Sequence, residues 1–138
     1  MNPDWVFTPE SNAHVAVDLT SFVSYTPFPT YIEVDHGLRY LPVHSVGTIE
    51  LSVRLPGADP AKRTLRLHRC LHAPKAGCNF IGGPVLERHD VVLDAEGEGT
   101  ASLYDREIPR TAALLKRRRN MLCLVLSRST VVLLPRAY

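Results

Sequence analysis

Two carboxylates and two imidazoles are the side chains of this sequence best suited to acid/base chemistry: Glu10, His14, Asp35 and His36. A histidine titrates near neutrality, and a carboxylate whose pKa is raised by a neighbouring like charge can exchange a proton in the same range. Such groups could promote proton transfer within a small molecule. Each also has a structural alternative. Glu10 would be a solvated loop residue and His14 a strand residue satisfied by backbone, and the pair at 35–36 would serve the geometry of a turn.

A second group of candidate residues alternates along one segment as His68, Cys70 and His72, with Cys78 soon after. In an extended segment the first three side chains would lie on one face of a strand. Zinc sites usually contain closely spaced cysteine pairs, and none is present, so we predict neither a metal nor another cofactor. Three cysteines at irregular spacing predict free thiols, and Cys78 has no paired base at motif spacing that would make it a nucleophile.

Short segments of period-two alternation predict strands through most of the chain. They lie at residues 31–35, 46–55, 63–71, 91–94, 121–126 and 130–134. The clearest places Ile49, Leu51, Val53 and Leu55 on one face. Turn residues separate them: Gly37 in a hairpin tip at 35–37, a turn at 55–60, a loop at 73–77 and a final hairpin turn at 127–129. We therefore predict an all-β fold, closed or folded over on itself.

Helix signals are few. Residues 83–89 predict two turns of helix, because Pro84 is tolerated at a first helical position. Residues 111–119 predict a second helix that ends in Lys116, Arg117, Arg118 and Arg119. Cations at a helix C-terminus are favoured by the helix dipole. A solvated helix end therefore explains this basic run better than a nucleic-acid patch, which would normally include interleaved aromatic residues.

The length and composition of the chain limit the class of protein to which it can belong. The 138 residues suit a single domain over residues 1–138, and 45% hydrophobic residues are ordinary for a globular protein. The net charge of +2 does not predict binding to nucleic acid or to a membrane surface. No apolar run is long enough to span a membrane, and the N-terminus lacks a signal-peptide pattern. We expect an intracellular, cytoplasmic protein.

Three motifs in order carry a resemblance to a known family. The first is Trp5-Val-Phe-Thr-Pro-Glu-Ser-Asn-Ala-His14, followed by Asp18 and Phe22. The second and third are Val43-His-Ser-Val-Gly-Thr-Ile-Glu-Leu51 and Leu67-His-Arg-Cys-Leu-His-Ala-Pro74, the latter leading into Asn79-Phe-Ile-Gly82. Together they resemble the copia-type retrotransposon proteases, which are retropepsin-like aspartic proteases. The resemblance covers about residues 5–100, and residues 101–138 form a divergent C-terminal extension.

The resemblance implies a small, closed, β-barrel-like subunit that forms half of an aspartic protease. Two copies would form a homodimer, with one Asp from each copy sharing a proton at the two-fold axis. Thr8 stands where the family has that Asp, and Glu10 stands where it has Gly. A threonine hydroxyl does not titrate near neutrality, and Pro9 restricts the backbone of Thr8 to extended angles. Proteolysis by the family mechanism is therefore excluded.

Two functions remain open for such a homodimer. In the first, its groove binds a small organic ligand, and Glu10, His14, Asp35 and His36 promote an isomerisation or cyclisation. In the second, it is a pseudoprotease that binds an extended peptide by strand addition or serves as a structural module. The short distance from Met1 to Trp5 favours a stand-alone domain over a slice of a polyprotein. We expect no membrane or nucleic-acid partner.

Overall fold

The computed structural model describes residues 4–57, 62–93 and 100–127, and these residues form an all-β fold, as predicted. Its strands are β1 (Trp5–Thr8), β2 (His14–Ala16), β3 (Phe22–Val34), β4 (Arg39–Arg54), β5 (Lys62–His72), β6 (Asn79–Gly82), β7 (His89–Leu93), β8 (Thr100–Asp105), β9 (Arg110–Arg118) and β10 (Met121–Leu124). A 3-10 helix spans Gly83–Glu87, with a proline in its first turn. The short helix expected at 83–89 is thus present in a tighter form, and His89 already belongs to β7.

The described strands pair in one sheet, in the order β3-β4-β5-β2-β6-β1-β10-β9-β8-β7. Strands β3 and β7 are its two edges and do not pair with each other, so the sheet is not closed into the barrel that the resemblance implied. A long twisted sheet can instead bury its apolar face by folding over, and β9 packs against β4 and β5 in this way. An isolated bridge between Val53 and Leu126 joins the chain after β10 to the end of β4.

The core lies between the two halves of the folded sheet. Ile49, Leu51, Val53 and Leu55 are all buried, which confirms the face predicted from their alternation. Ile49, Leu51 and Val53 belong with Leu103 and Leu115 of the other half to the same hydrophobic cluster. Each fully buried aliphatic side chain of this size stabilises the fold by about 1.5–3 kcal/mol. Strands β8 and β9 are therefore an integral part of the domain, although they lie beyond the region of family resemblance.

The helix predicted at 111–119 is wrong, because these residues form β9 and the turn that follows it. Strand β9 pairs with β8 on one side and β10 on the other. Both neighbours satisfy its backbone, and Ala113 and Leu115 are buried in the core that includes residues of β4 and β5, so tertiary structure overrides the local helix propensity.

Two tight turns use left-handed backbone angles. The β3–β4 turn at Asp35, His36 and Gly37 has φ values of 54°, 54° and 87°, which confirms the predicted hairpin tip. Arg119 and Asn120, between β9 and β10, have φ values of 52° and 67°. The hairpin turn expected at 127–129 and the strand at 130–134 lie beyond residue 127, outside the described residues, as does part of the turn at 55–60.

Candidate functional site

The loop between β1 and β2 occupies the place where the family motif would have its catalytic turn. Strand β1 runs parallel to β6, with Thr8 opposite Gly82. The amide of Ser11 then donates to the carbonyl of Thr8 at 3.0 Å, and the amide of Gly83 donates to the carbonyl of Ser11 at 2.8 Å. The hydroxyl of Thr8 donates to the carbonyl of Val6 at 3.3 Å. The loop is therefore a backbone-bonded turn that holds a threonine and no carboxylate at position 8.

Gly82 lets this loop pack closely against β6. A Cβ atom at Gly82 would lie 2.2 Å from the carbonyl oxygen of Ala13, and one at Gly83 would lie 2.7 Å from that of Pro9. Real atoms do not approach so closely, so both positions require glycine to keep the observed loop. The loop conformation thus depends on β6 as well as on its own residues.

His14 and Glu10 lie in very different surroundings on this loop. His14 is 3% exposed, and the amide of Gly82 donates to its Nδ1 at 2.9 Å. Burial, assisted by the charges of Arg69 and His68, lowers the pKa of His14 from 6.5 to about 4. At neutral pH the ring is therefore uncharged and one nitrogen already accepts a backbone bond. Glu10 is exposed on the loop.

Asp35 and His36, the other two candidate residues, lie at the β3–β4 turn. The Nε atom of Arg39 donates to Asp35 at 2.8 Å, and both side chains of this ion pair are more than half exposed. Among the described residues, no hydrogen bond or ion pair joins Asp35 or His36 to Glu10 or His14. The four candidate residues thus lie as two separate pairs within one chain.

The expected common face for His68, Cys70 and His72 is wrong. Arg69 has a φ of 55°, and the register shifts opposite it in β4, between Gly47 and Ile49. Such a bulge adds one residue and reverses the alternation, so His68 is exposed while Cys70 is fully buried. Burial raises the pKa of Cys70 to about 12. No three His, Cys, Asp or Glu side chains come together as a metal site within the described ranges.

Cys78 is half-buried beside the start of β6, and its thiol is free. Burial raises its pKa, and the neighbouring Cys123 raises it further. A thiol with a raised pKa carries less thiolate at neutral pH and is a poorer nucleophile.

A cluster around His72 was not predicted from the sequence. The ring of His72 makes edge-to-face contacts with His44 and Phe22, with centroid separations of 5.6 and 6.1 Å. His72 is 9% exposed, and its Nδ1 has no hydrogen-bond partner among the described residues. Hydrogen bonds from Thr20 lower the pKa of Asp18, and the charge of His72 lowers it slightly further. This cluster depends on the pairing of β4 with β5, which places His72 opposite Ser45, and no local spacing in the sequence reveals it.

An open groove of about 380 Å³ lies beside this cluster, away from the Thr8 loop. It runs between the start of β3 and the chain after β10, and Thr20, Phe22, Glu50 and Leu126 are among its lining residues. Phe22, whose ring contacts His72, lines this groove, and so does Thr20, which donates to Asp18.

The β3–β4 hairpin carries many uncovered apolar side chains. Those at least 46% exposed are Val23, Tyr25, Phe28, Tyr31, Leu38 and Tyr40. Leu41 is buried and pairs with Ile32, so this pair faces the body of the domain. Tyr31 and Tyr40, each one residue away, lie on the outer face. A concentration of exposed apolar side chains on one hairpin is a feature of interaction sites.

Comparisons with protein-family models, curated proteins and solved structures find no match to this chain. In the described part of the chain, no helix has the length and apolar character needed to cross a membrane.

Proposed function

We propose that the chain is a non-proteolytic binding domain of the copia-type, retropepsin-like kind, which works as a homodimer and holds an extended peptide against its β3–β4 hairpin. The observation that carries this proposal is the uncovered apolar surface of the hairpin. Tyr31 and Tyr40 are 67% and 62% exposed, and Leu38 at the tip is 83% exposed. Exposed aromatic side chains contribute much of the binding energy in protein interfaces.

The absence of proteolytic groups at the β1–β2 loop supports binding without peptide hydrolysis. The hydroxyl of Thr8 does not ionise near neutral pH, and it donates a hydrogen bond to the carbonyl of Val6. His14 is neutral, buried and bonded to Gly82, so it holds the loop in place and cannot act as the base. Glu10 is the remaining ionisable side chain of this loop.

The sequence of β3 limits where a peptide can add to the sheet edge. Pro27 and Pro29 lack backbone N–H donors, and proline protects an edge strand against further pairing. Residues 30–34 contain no proline and form the regular part of the ladder with β4. A peptide strand would therefore pair with residues 30–34, with its side chains against Tyr31 on the outer face.

Fluorescence anisotropy with a dye-labelled peptide of alternating valine and threonine tests this proposal. We expect saturable binding by the wild-type chain and at least a ten-fold loss of affinity in the Tyr31→Ser/Tyr40→Ser variant, because truncating an aromatic anchor costs about 2 kcal/mol or more. Ile108→Ser is the matched control, since Ile108 is also an exposed apolar residue at 49% but lies at the β8–β9 turn. Absence of binding, or equal losses in both variants, would contradict the proposal.

A second function is favoured by the cluster around His72. The imidazoles of His44 and His72 lie 5.6 Å apart beside an open groove, with the carboxylate of Asp18 nearby. We propose as the alternative that this cluster promotes acid/base conversion of a small organic ligand, as in an isomerisation or cyclisation. In this alternative the cluster around His72, and not His14, supplies the general base.

The general base can be tested with the carbon acid 5-nitrobenzisoxazole, whose ring opens when a base removes one proton. We expect the wild-type chain to accelerate this opening more than the His44→Gln variant, whereas His36→Gln should match the wild type. Equal rates in all three proteins would exclude a base in this cluster.

A further inference from the structure

The hairpin formed by β9 and β10 is strongly basic and projects beyond the core. Lys116, Arg117, Arg118, Arg119 and Asn120 are all exposed, as is Met121 at the start of β10. Leu115, the preceding residue on β9, is 1% exposed. Arg117 lies on the same face of β9 as Leu115 and is exposed, so the ribbon leaves the body of the domain between these two residues.

Because Lys116, Arg117 and Arg118 belong to strand β9, a solvated helix end no longer explains this basic run. In a helix, four cations at the C-terminus would be favoured by the helix dipole. In a β-ribbon that effect is absent, since strands have only small net dipoles. Like charges crowded at one tip repel each other and receive no compensation from the local backbone.

In the part of the chain that the structure describes, acidic side chains neutralise little of the charge on the ribbon. Arg118 lies 3.4 Å from the carboxylate of Asp4, and its side chain is 50% exposed. Among the described residues, the side chains of Lys116, Arg117 and Arg119 have no ion-pair or hydrogen-bond partner. Three cations at the tip thus have no acidic partner within residues 4–57, 62–93 and 100–127.

The turn at the tip of the ribbon also has backbone angles that are unfavourable for Arg119. Arg119 has a φ of 52° and Asn120 a φ of 67°. Asparagine tolerates such angles, but an arginine there is strained, and glycine would relieve the strain. Strain of this kind is retained where the side chain has a use.

The cations occupy both faces of the ribbon. Successive residues of a strand point to opposite faces, so Lys116 and Arg118 lie on one face and Arg117 on the other. A flat anionic surface, such as a lipid bilayer, would contact one face only. The major groove of B-form DNA is bordered by phosphates on both sides and admits a two-stranded β-ribbon.

From these observations we propose that the β9–β10 hairpin binds the phosphate backbone of a nucleic-acid duplex, with Lys116, Arg117 and Arg119 as the contacting residues. The contacts are to phosphates, so binding is independent of base sequence. This activity is separate from the peptide-binding function and does not depend on it.

Fluorescence anisotropy with a labelled DNA duplex of about two helical turns tests the proposal. We expect binding that weakens with salt, with a slope of about −3 in log K against log salt, because about three phosphates are neutralised. Arg117→Gln should weaken binding about five-fold and reduce the slope by about 1. Arg110→Gln is the matched control, because Arg110 is an exposed arginine at the opposite end of β9, and it should bind as the wild type does.

The variant Arg119→Gly separates a role in binding from a role in folding. Glycine relieves the strained turn, so the melting temperature should rise while binding weakens about five-fold. The proposal is overturned if the wild type does not bind the duplex at low salt, or if Arg117→Gln and Arg110→Gln bind equally. Binding to vesicles of anionic phospholipid without binding to the duplex would also overturn it.

Discussion

The amide of Gly82 donates a hydrogen bond to Nδ1 of His14 across 2.9 Å, and this contact ties the β1–β2 loop to β6. It requires the neutral form of the imidazole, because a protonated Nδ1 could not accept the bond. The position of the loop that would carry the chemistry of a protease is thus coupled to the protonation of one buried histidine.

The free energy of unfolding should decrease as the pH is lowered from neutrality, because of His14. Its pKa is lowered from 6.5 to about 4 in the folded chain, so the unfolded chain binds this proton more readily. The stabilisation is complete above pH 6.5 and is lost as pH falls towards about 4, a contribution of roughly 3 kcal/mol at most. Burial also lowers the pKa of His89 and adds to the same trend.

Urea denaturation between pH 7.5 and 4.5 measures this dependence. The variant His14→Asn keeps an acceptor near the amide of Gly82 but does not titrate, so its stability should vary less with pH than that of the wild type. His36→Asn changes an exposed residue of the β3–β4 turn and should retain the wild-type slope. An unchanged slope in His14→Asn would contradict the assigned role of His14.

The variant Gly82→Ala should destabilise the domain and displace the β1–β2 loop. The new methyl group would lie 2.2 Å from the carbonyl oxygen of Ala13, which is backbone and cannot swing aside. Overpacking of this kind costs about 1–3 kcal/mol or more, which thermal unfolding would detect. Gly77→Asn is the control, since space is open around Gly77 and asparagine tolerates its φ of 87°; a loss as large as that of Gly82→Ala would argue against the packing explanation.

Replacing Thr8 with Asp should not create a peptidase. Pro9 and Glu10 remain in the turn, and the amide of Ser11 is already bonded to the carbonyl of residue 8. Cleavage of a fluorogenic peptide should stay at background in Thr8→Asp. The triple variant Thr8→Asp/Pro9→Ser/Glu10→Gly, which restores the family pattern, is the informative comparison. A clear gain of activity in the single variant would show that the present turn tolerates a catalytic dyad.

Asp105 should be among the most important charged residues for stability. It is 6% exposed and accepts two hydrogen bonds from Arg88, at 2.9 and 2.8 Å, and two from the backbone of the β8–β9 turn. Asp105→Asn should therefore cost about 1.5–3 kcal/mol in urea denaturation. Asp90→Asn breaks a more exposed ion pair with Arg106 and should cost less than about 1 kcal/mol. Equal losses of unfolding free energy in Asp105→Asn and Asp90→Asn would indicate that the burial of Asp105 has no effect on stability.

The strands with buried alternation could be predicted from the sequence, whereas the segment at 111–119 could not. Residues 46–55 alternate in a way that only a half-buried strand explains, and their inward face is observed as expected. Residues 111–119 contain alanine, leucine and cations, which favour a helix locally. Their strand structure depends on pairing with β8 and β10, which are distant from any short sequence window.

The candidate site was predictable only where it depends on local sequence. The turn at residues 35–37 follows from Gly37. The bulge at Arg69 changes the face of His68, and the contact of His44 with His72 arises from cross-strand packing. Neither leaves a periodic signal that could have been found in the sequence.

Light scattering across micromolar concentrations tests the central claim, that the peptide-binding domain works as a homodimer, most directly. We predict a mass of twice 15.4 kDa that persists on dilution through this range. A mass of 15.4 kDa at every concentration would contradict the homodimer of the proposed function.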